Sequence, residues 1–151
     1  MKETTLCYIE KNDCYLMLHR TKKENDANKG KWIGIGGKLE EGESPRECVV
    51  REIFEETSLK VCNLIYRGKV NFISDIYEDE IMHLYTAASK TDNVSACDEG
   101  ELKWIPKEEV LSLNLWEGDK VFLEYLLKDY DEFFEISLIY KGDSLFEVIK
   151  E

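Results

Sequence analysis

The sequence predicts an α/β fold, a mixed β-sheet with helices packed on its faces. Three observations carry that expectation. Runs rich in β-branched, aromatic and aliphatic residues outnumber the helical patterns. Several of these runs are separated by only a few turn-type residues, as hairpin strands are. Longer segments around residues 45–57 and 120–130 repeat apolar residues at helical spacing, and such a stripe must be buried against another element.

Taken in order, Thr4–Ile9 and Cys14–His19 read as the first two strands, with Lys11-Asn12-Asp13 as the turn between them. Arg20–Lys31 contains Asn25, Asp26, Asn28 and Gly30 and reads as a polar loop. From Gly30 to Gly37 four glycines permit backbone shapes that a Cβ resists. Ser44, Pro45 and Glu47 then announce a helix: serine is a preferred N-cap, proline suits the first helical position, and Ser-x-x-Glu is a capping box. The helix is expected over Pro45–Thr57. Strands are expected at Cys62–Tyr66, Lys69–Ser74 and Ile81–Ser89, with Asp75–Glu80 linking the last two. Leu102–Ile105 reads as a short strand, and Pro106 opens a short helix. Trp116–Asp119 reads as a loop, followed by an amphipathic helix over Lys120–Tyr130. Phe133–Tyr140 and Ser144–Ile149 close the chain as a hairpin around Lys141-Gly142-Asp143. No repeat or linker interrupts the series, so one domain over residues 1–151 is expected.

The net charge of −12 removes the basic footprint that a nucleic-acid polymer would need. An acidic protein that handles phosphates must supply positive charge locally, and a bound metal is an economical source. The cysteines are Cys7, Cys14, Cys48, Cys62 and Cys97, an odd set with no CxxC pair. That usage fits reduced thiols and a cytoplasmic location. With only His19 and His83, a zinc site of the His/Cys type is not expected. No apolar run follows Met1-Lys2-Glu3, so neither a signal peptide nor a membrane span is expected.

On the Pro45–Thr57 helix, residues advance about 100° each. Val49, Val50, Ile53, Phe54 and Thr57 then share one side, and Glu52, Glu55 and Glu56 the other. A solvated face is the ordinary meaning of glutamates on a helix. Here the acids are concentrated rather than mixed with bases at i,i+4, Arg51 stands beside them, and a glycine loop precedes the helix. Hard divalent cations take oxygen ligands, and Mg²⁺ is usually held by one or two carboxylates plus substrate phosphates. The reading is a metal-dependent enzyme acting on a phosphate compound.

These residues resemble the signature of the Nudix family, G-x5-E-x7-R-E-U-x-E-E-x-G-U with U aliphatic. Gly37 fills the first glycine and Glu43 the first glutamate. Arg51, Glu52, Ile53, Glu55 and Glu56 fill R-E-U-x-E-E, and Leu59 fills the last U. Ser58 departs from the second glycine, which ends the helix. The resemblance implies an α/β/α sandwich and hydrolysis of a nucleoside diphosphate linked to another moiety. It also implies a Mg²⁺ or Mn²⁺ site, with Gly37, Glu52, Glu55, Glu56 and a later-loop acid, Glu99, as ligands. A glutamate, Glu52 or Glu56, would take the proton of the attacking water. Arg51 and Glu43 would support the acids and the loop.

Within the family the chain is similar to the MutT-type sanitising branch, and especially to the mammalian oxidised-purine triphosphatase. Gly30-Lys31-Trp32, Gly34-x-Gly36-Gly37-Lys38 and Leu115-Trp116-x-x-Asp119 carry that similarity. By it, Trp116 would stack a purine and Asp119 would bond its edge. Thr5, Phe72, Arg20 and Lys38 would line or border the same small-molecule site. Ile33 and Gly118 depart, standing where that enzyme has an asparagine and the first of two aspartates. Both departures remove polar contacts and weigh against selectivity for an oxidised base. The implied activity is Mg²⁺-dependent conversion of a nucleoside triphosphate, such as 8-oxo-dGTP, to monophosphate and pyrophosphate. Hydrolysis of an ordinary dNTP or a nucleotide sugar is the alternative, and a non-catalytic nucleotide-binding regulator a more distant one.

Overall fold

The computed structural model describes residues 1–128 and 130–151. In order, the strands are β1 (Lys2–Lys11), β2 (Cys14–Arg20), β3 (Trp32–Ile33), β4 (Ile35–Lys38), β5 (Cys62–Ser74), β6 (Glu80–Ala88), β7 (Gly100–Pro106), β8 (Phe134–Lys141) and β9 (Ser144–Lys150). The helices are α1 (Pro45–Thr57), α2 (Lys107–Val110) and α3 (Glu117–Leu127). The main path of the sheet runs β3-β2-β1-β6-β5-β8-β9, with β4 paired to β1 and β7 to β2. The sheet is mixed, as expected: β1 and β6 run parallel, as do β5 and β8, and the remaining pairs are antiparallel.

Alternation along the strands builds two cores, one on each face. From β1, Leu6 and Tyr8 point to one side and Cys7 and Ile9 to the other; β2 divides Tyr15 and Met17 from Leu16 and Leu18 in the same way. The first face is covered by α3 through Phe122, Leu123 and Leu126, with Val110 of α2 beside them. The second is covered by α1 through Val49 and Ile53. The result is an α/β/α sandwich. Phe122 is fully buried, and truncating such a ring to alanine typically costs about 3–5 kcal/mol.

The strand ends follow local chemistry. Asn12 and Asp13 both take positive φ, 51° and 62°, as a tight hairpin turn requires. The expected strands at Cys62–Tyr66 and Lys69–Ser74 are one strand, β5, whose register against β6 shifts between Tyr66 and Gly68. A bulge keeps the pairing continuous where the sequence suggests a break. At Gly68 a Cβ would lie 2.7 Å from the Phe134 carbonyl oxygen, so glycine lets β8 come alongside.

Helix α1 has the bounds its capping residues predict. Ser44 accepts from the Glu47 N–H at 3.1 Å, and the Glu47 carboxylate accepts from the Ser44 N–H at 3.0 Å. Its buried stripe is narrower than expected. Cys48, Val49, Ile53 and Thr57 are buried, but Val50 and Phe54 are about half exposed. The helix packs on β1 and β4, and it is the row through Val49, Ile53 and Thr57 that faces them. Helix α3 begins earlier than expected. Glu117, Gly118 and Asp119 form its first turn and Trp116 is its N-cap, so this stretch is not a loop. Its acids there complement the helix dipole. The C-terminal part of the expected Lys120–Tyr130 helix includes Asp129, which lies outside the described residues. Among the described residues, no helix is long and apolar enough to cross a membrane.

Candidate active site

The glycine-rich strand β4 is where the two faces of the sheet communicate. It pairs antiparallel with Thr4–Cys7 of β1. A Cβ at Gly36 would sit 1.9 Å from the Thr5 carbonyl oxygen, so only glycine permits this approach. A Cβ at Gly37 would lie 2.6–2.8 Å from the Glu52 carboxyl atoms. The loop backbone is therefore bare where an α1 carboxylate presses against it.

Arg51 organises the acids around that point. It grips Glu43 with two bonds, Nε to Oε2 at 2.7 Å and Nη2 to Oε1 at 2.9 Å. Its Nη1 donates to Glu52 Oε1 at 2.7 Å and to Glu55 Oε2 at 3.3 Å, and its Nη2 to the Lys38 carbonyl at 3.3 Å. A planar five-donor guanidinium suits this fan of acceptors, and an ammonium would not. The Arg51 hydrogen bond holds the Glu43 carboxyl down at about 2. Glu43 in turn accepts from the Glu40 N–H at 3.0 Å, which ties the loop to the helix.

Glu56 behaves in the opposite way. Burial pushes its carboxyl up to about 9, and the Glu52 hydrogen bond and the Glu99 and Glu52 charges add to the effect. Its Oε2 is shielded from solvent and has no hydrogen-bond partner. An orphaned carboxylate oxygen among other acids is a site short of positive charge. Glu99 precedes β7 and reaches the same region, held by Arg20 at 3.1 Å and Lys23 at 3.6 Å. The structure thus sets Glu52 against Gly37 and brings Glu52 and Glu99 within electrostatic reach of Glu56. Glu55 is turned outward onto Arg51, with its side chain 58% exposed. Among the described residues no three His, Cys, Asp or Glu side chains already stand as a metal-holding group. Two of the acids are instead engaged by arginines, and Mg²⁺ typically completes its shell with substrate phosphates and water. The donor set is all oxygen, as a hard cation requires, and the unpartnered Glu56 oxygen fits one.

On the other face of the sheet a cleft of about 390 Å³ opens against β1, β6 and α3. Every residue expected to contact substrate lines it: Thr5, Arg20, Lys38, Phe72, Trp116 and Asp119. Gly36 and Gly37 line it too, so it runs up to the acidic group. Trp116 is anchored by its Nε1, which donates to Asn28 Oδ1 at 2.7 Å, and packs edge-on to Tyr140 with centroids 5.7 Å apart. Asp119 is 6% exposed, and burial pushes its carboxyl up to about 7, with the Glu80 charge adding to the rise. Trp32 instead stacks flat on His19 at 4.3 Å, a packing role, and Trp104 is half-buried at the margin of the second core.

Sequence reading missed Tyr140, Glu80 and Asn28, all of which line the cleft. Tyr140 arrives through the parallel pairing of β8 with β5, in which it stands opposite Ser74. No local pattern announces a pairing across that separation. Glu80 ends the expected Asp75–Glu80 connector, yet in the structure it opens β6 and accepts from the Thr4 hydroxyl at 2.5 Å.

A fold of this topology, with an Arg-clamped acidic helix behind a glycine strand, defines the class, and the comparisons agree. The NUDIX domain family model matches residues 3–126, and the chain belongs to the Nudix hydrolase family. An uncharacterised Nudix hydrolase, YvcI of Bacillus subtilis, is 32% identical over 133 residues, 85% of this chain and 80% of its own. The oxidized purine nucleoside triphosphate hydrolase of Mus musculus is 28% identical over 108 residues, 70% of this chain and 69% of its own. Among solved structures, a mutator MutT protein from Bacillus halodurans superimposes with a TM-score of 0.88 at 28% identity, covering 100% of this chain and 98% of its own.

Proposed function

We propose that this protein hydrolyses a purine nucleoside triphosphate to the monophosphate and pyrophosphate, using Mg²⁺ or Mn²⁺. The observation that carries the proposal is the continuity of the cleft with the acids. Trp116 and Asp119 lie in a space that ends at Gly37, against which the Glu52 carboxyl rests. A base in the cleft would lay its phosphates along the bare backbone of β4 and over the acids. Glu52, Glu56 and Glu99 would hold the cation, with the Gly37 carbonyl beside them. When bound, it neutralises pyrophosphate oxygens and the charge that builds on the leaving group. Glu52 or Glu56 accepts a proton from the attacking water. Arg51 positions Glu52, and Lys38 and Arg20 offer positive charge at the cleft margin.

The similarity to oxidised-purine triphosphatases extends the proposal to 8-oxo-dGTP. Ile33 in the cleft lining favours a second reading, in which ordinary purine triphosphates are accepted as well, since an isoleucine offers no hydrogen bond to the base. A nucleotide sugar remains the alternative substrate. A non-catalytic regulator is disfavoured by the complete set of acids. The test is Mg²⁺-dependent turnover of 8-oxo-dGTP, ordinary dNTPs, ADP-ribose and nucleotide sugars, with products separated by chromatography: monophosphate and pyrophosphate from a triphosphate, monophosphate and a sugar phosphate from a diphosphate sugar. Release of pyrophosphate from purine triphosphates is expected; turnover of the diphosphate sugars alone would overturn the proposal.

A further inference from the structure

The departure at Gly118 is filled by another element of the fold. A Cβ at Gly118 would lie 2.7 Å from the Tyr140 hydroxyl and 2.7 Å from Leu138 Cδ1. No side chain fits at position 118, because a phenol already occupies the space. The Gly118 N–H donates to the Tyr140 oxygen at 2.6 Å. A tyrosine hydroxyl both donates and accepts, so with this N–H on its oxygen its own proton remains to be donated. The ring is fixed by its edge contact with Trp116 and by Phe72, whose centroid lies 6.4 Å away. Tyr140 is 7% exposed and lines the cleft. Burial, with the Asp119 charge adding to it, raises the phenol's titration, so the proton stays on the oxygen at neutral pH.

The cleft therefore sets a fixed hydroxyl donor beside a carboxyl acceptor. The edge of a guanine-type purine carries, in order, a 2-amino donor, an N1–H donor and a 6-oxo acceptor. A carboxylate can accept the two donors, and the neighbouring oxygen then needs a donor that Ile33 cannot supply. An adenine-type base held in the same orientation would set its 6-amino donor against the Tyr140 hydroxyl, whose oxygen already accepts from Gly118, and its N1 acceptor against the carboxylate, and so mismatches this pair. We propose that Tyr140 is a specificity-determining residue of the cleft, its hydroxyl donating to the 6-oxo group of a guanine-type purine whose N1–H and 2-amino group face Asp119. The proposal rests on the reading of the cleft as the base site.

The test is calorimetric binding of dGMP and 6-thio-dGMP, without turnover, to the full chain and to Tyr140→Phe. Sulfur is a poor acceptor, while the analogue keeps N1–H and the 2-amino group. The wild type is expected to bind dGMP about 3–10-fold more tightly than the thio analogue, the worth of one neutral hydrogen bond. In Tyr140→Phe the ratio is expected to fall to near one. A purely structural tyrosine would weaken both ligands equally and keep the ratio, which would overturn the proposal. So would a wild type that does not distinguish the two ligands, or binds neither, however the variant folds. If the ratio behaves as expected but no purine triphosphate is hydrolysed, the proposed reaction fails while the role of Tyr140 stands.

Discussion

The acidic group behind α1 and the cleft beneath α3 are built on opposite principles. Around Arg51 the contacts are short, charged and arranged by one guanidinium, with Glu43, Glu52 and Glu55 all within 3.3 Å. In the cleft the contacts are aromatic and apolar, and Asp119 is governed first by loss of water, which the Lys31 charge only partly offsets. The first region stores a deficit of positive charge and the second excludes solvent. On the proposed function, the difference makes binding phosphate and choosing the base separable tasks, joined at the β4 glycines. Substitutions in one region should leave the other task largely intact.

The largest break in that comparison is expected from Glu56→Gln. Burial disfavours the charged form of Glu56, and glutamine is a neutral isostere, so the variant is expected to keep the shape and the fold. On the proposed function it removes a carboxylate that the cation, or the attacking water, requires. Metal-dependent turnover should fall about 10²–10⁴-fold with an undiminished melting temperature and unchanged dGMP affinity. Titration of Mn²⁺ by electron paramagnetic resonance provides a readout apart from turnover. Near-normal activity would remove Glu56 from the site.

The matching change in the cleft is Asp119→Asn, read by stability against pH. An acid whose folded pKa is raised binds its proton more tightly in the native state. Its contribution is fully favourable below the unfolded value near 4 and is lost as pH rises towards about 7. The full loss is on the order of 4 kcal/mol. Asparagine cannot ionise, so the variant should equal the wild type near pH 4 and exceed it in melting temperature at pH 8. Parallel curves at all pH values would mean that Asp119 is not desolvated. Guanine-type ligands should bind the variant more weakly, while Mn²⁺ affinity stays constant.

These two sites were unequally legible in the sequence. The acidic helix is a local object: capping box, glutamate spacing and Arg51 all fall within residues 44–56, and helical geometry alone brings them together. What could not be read is that Glu56 is half-buried with one oxygen shielded while Glu55 is exposed, because that depends on what packs over each face of α1. The cleft is assembled from β1, β2, β4, β5, β6, α3 and β8, and only the family resemblance pointed to its residues. Tyr140 has no counterpart in any local pattern, since its place depends on the parallel β5–β8 pairing. The extent of α3 was misjudged for a related reason. Glycine and acid at 118 and 119 look like a loop, yet Gly118 is required by the Tyr140 hydroxyl and Asp119 belongs to a first helical turn.

A smaller effect confined to the cleft is expected from Trp116→Ala. Loss of base stacking is worth about 1–3 kcal/mol, so KM for purine triphosphates should rise about 5- to 100-fold with kcat within a few-fold of wild type. A fall in kcat with unchanged KM would show that the tryptophan only props the N-terminus of α3.

The smallest effect sharpens the comparison from the other side. Ser58 ends α1 in the left-handed region, φ 64° and ψ 9°, with its N–H donating to the Phe54 carbonyl at 2.9 Å. An L-residue is strained there, whereas glycine is not. Ser58→Gly should therefore stabilise the fold, by about 0.5–1 kcal/mol, because relief of the left-handed strain outweighs the extra freedom glycine gives the unfolded chain. The cap lies just beyond Glu55 and Glu56, in the same helix. If the acids are positioned by Arg51 and the β4 backbone, a relaxed C-terminus should raise the melting temperature and leave both metal affinity and turnover unchanged. A gain in stability accompanied by a change in Mn²⁺ affinity would mean that the cap itself tunes the acids, and that the charge network is less self-contained than its short contacts imply.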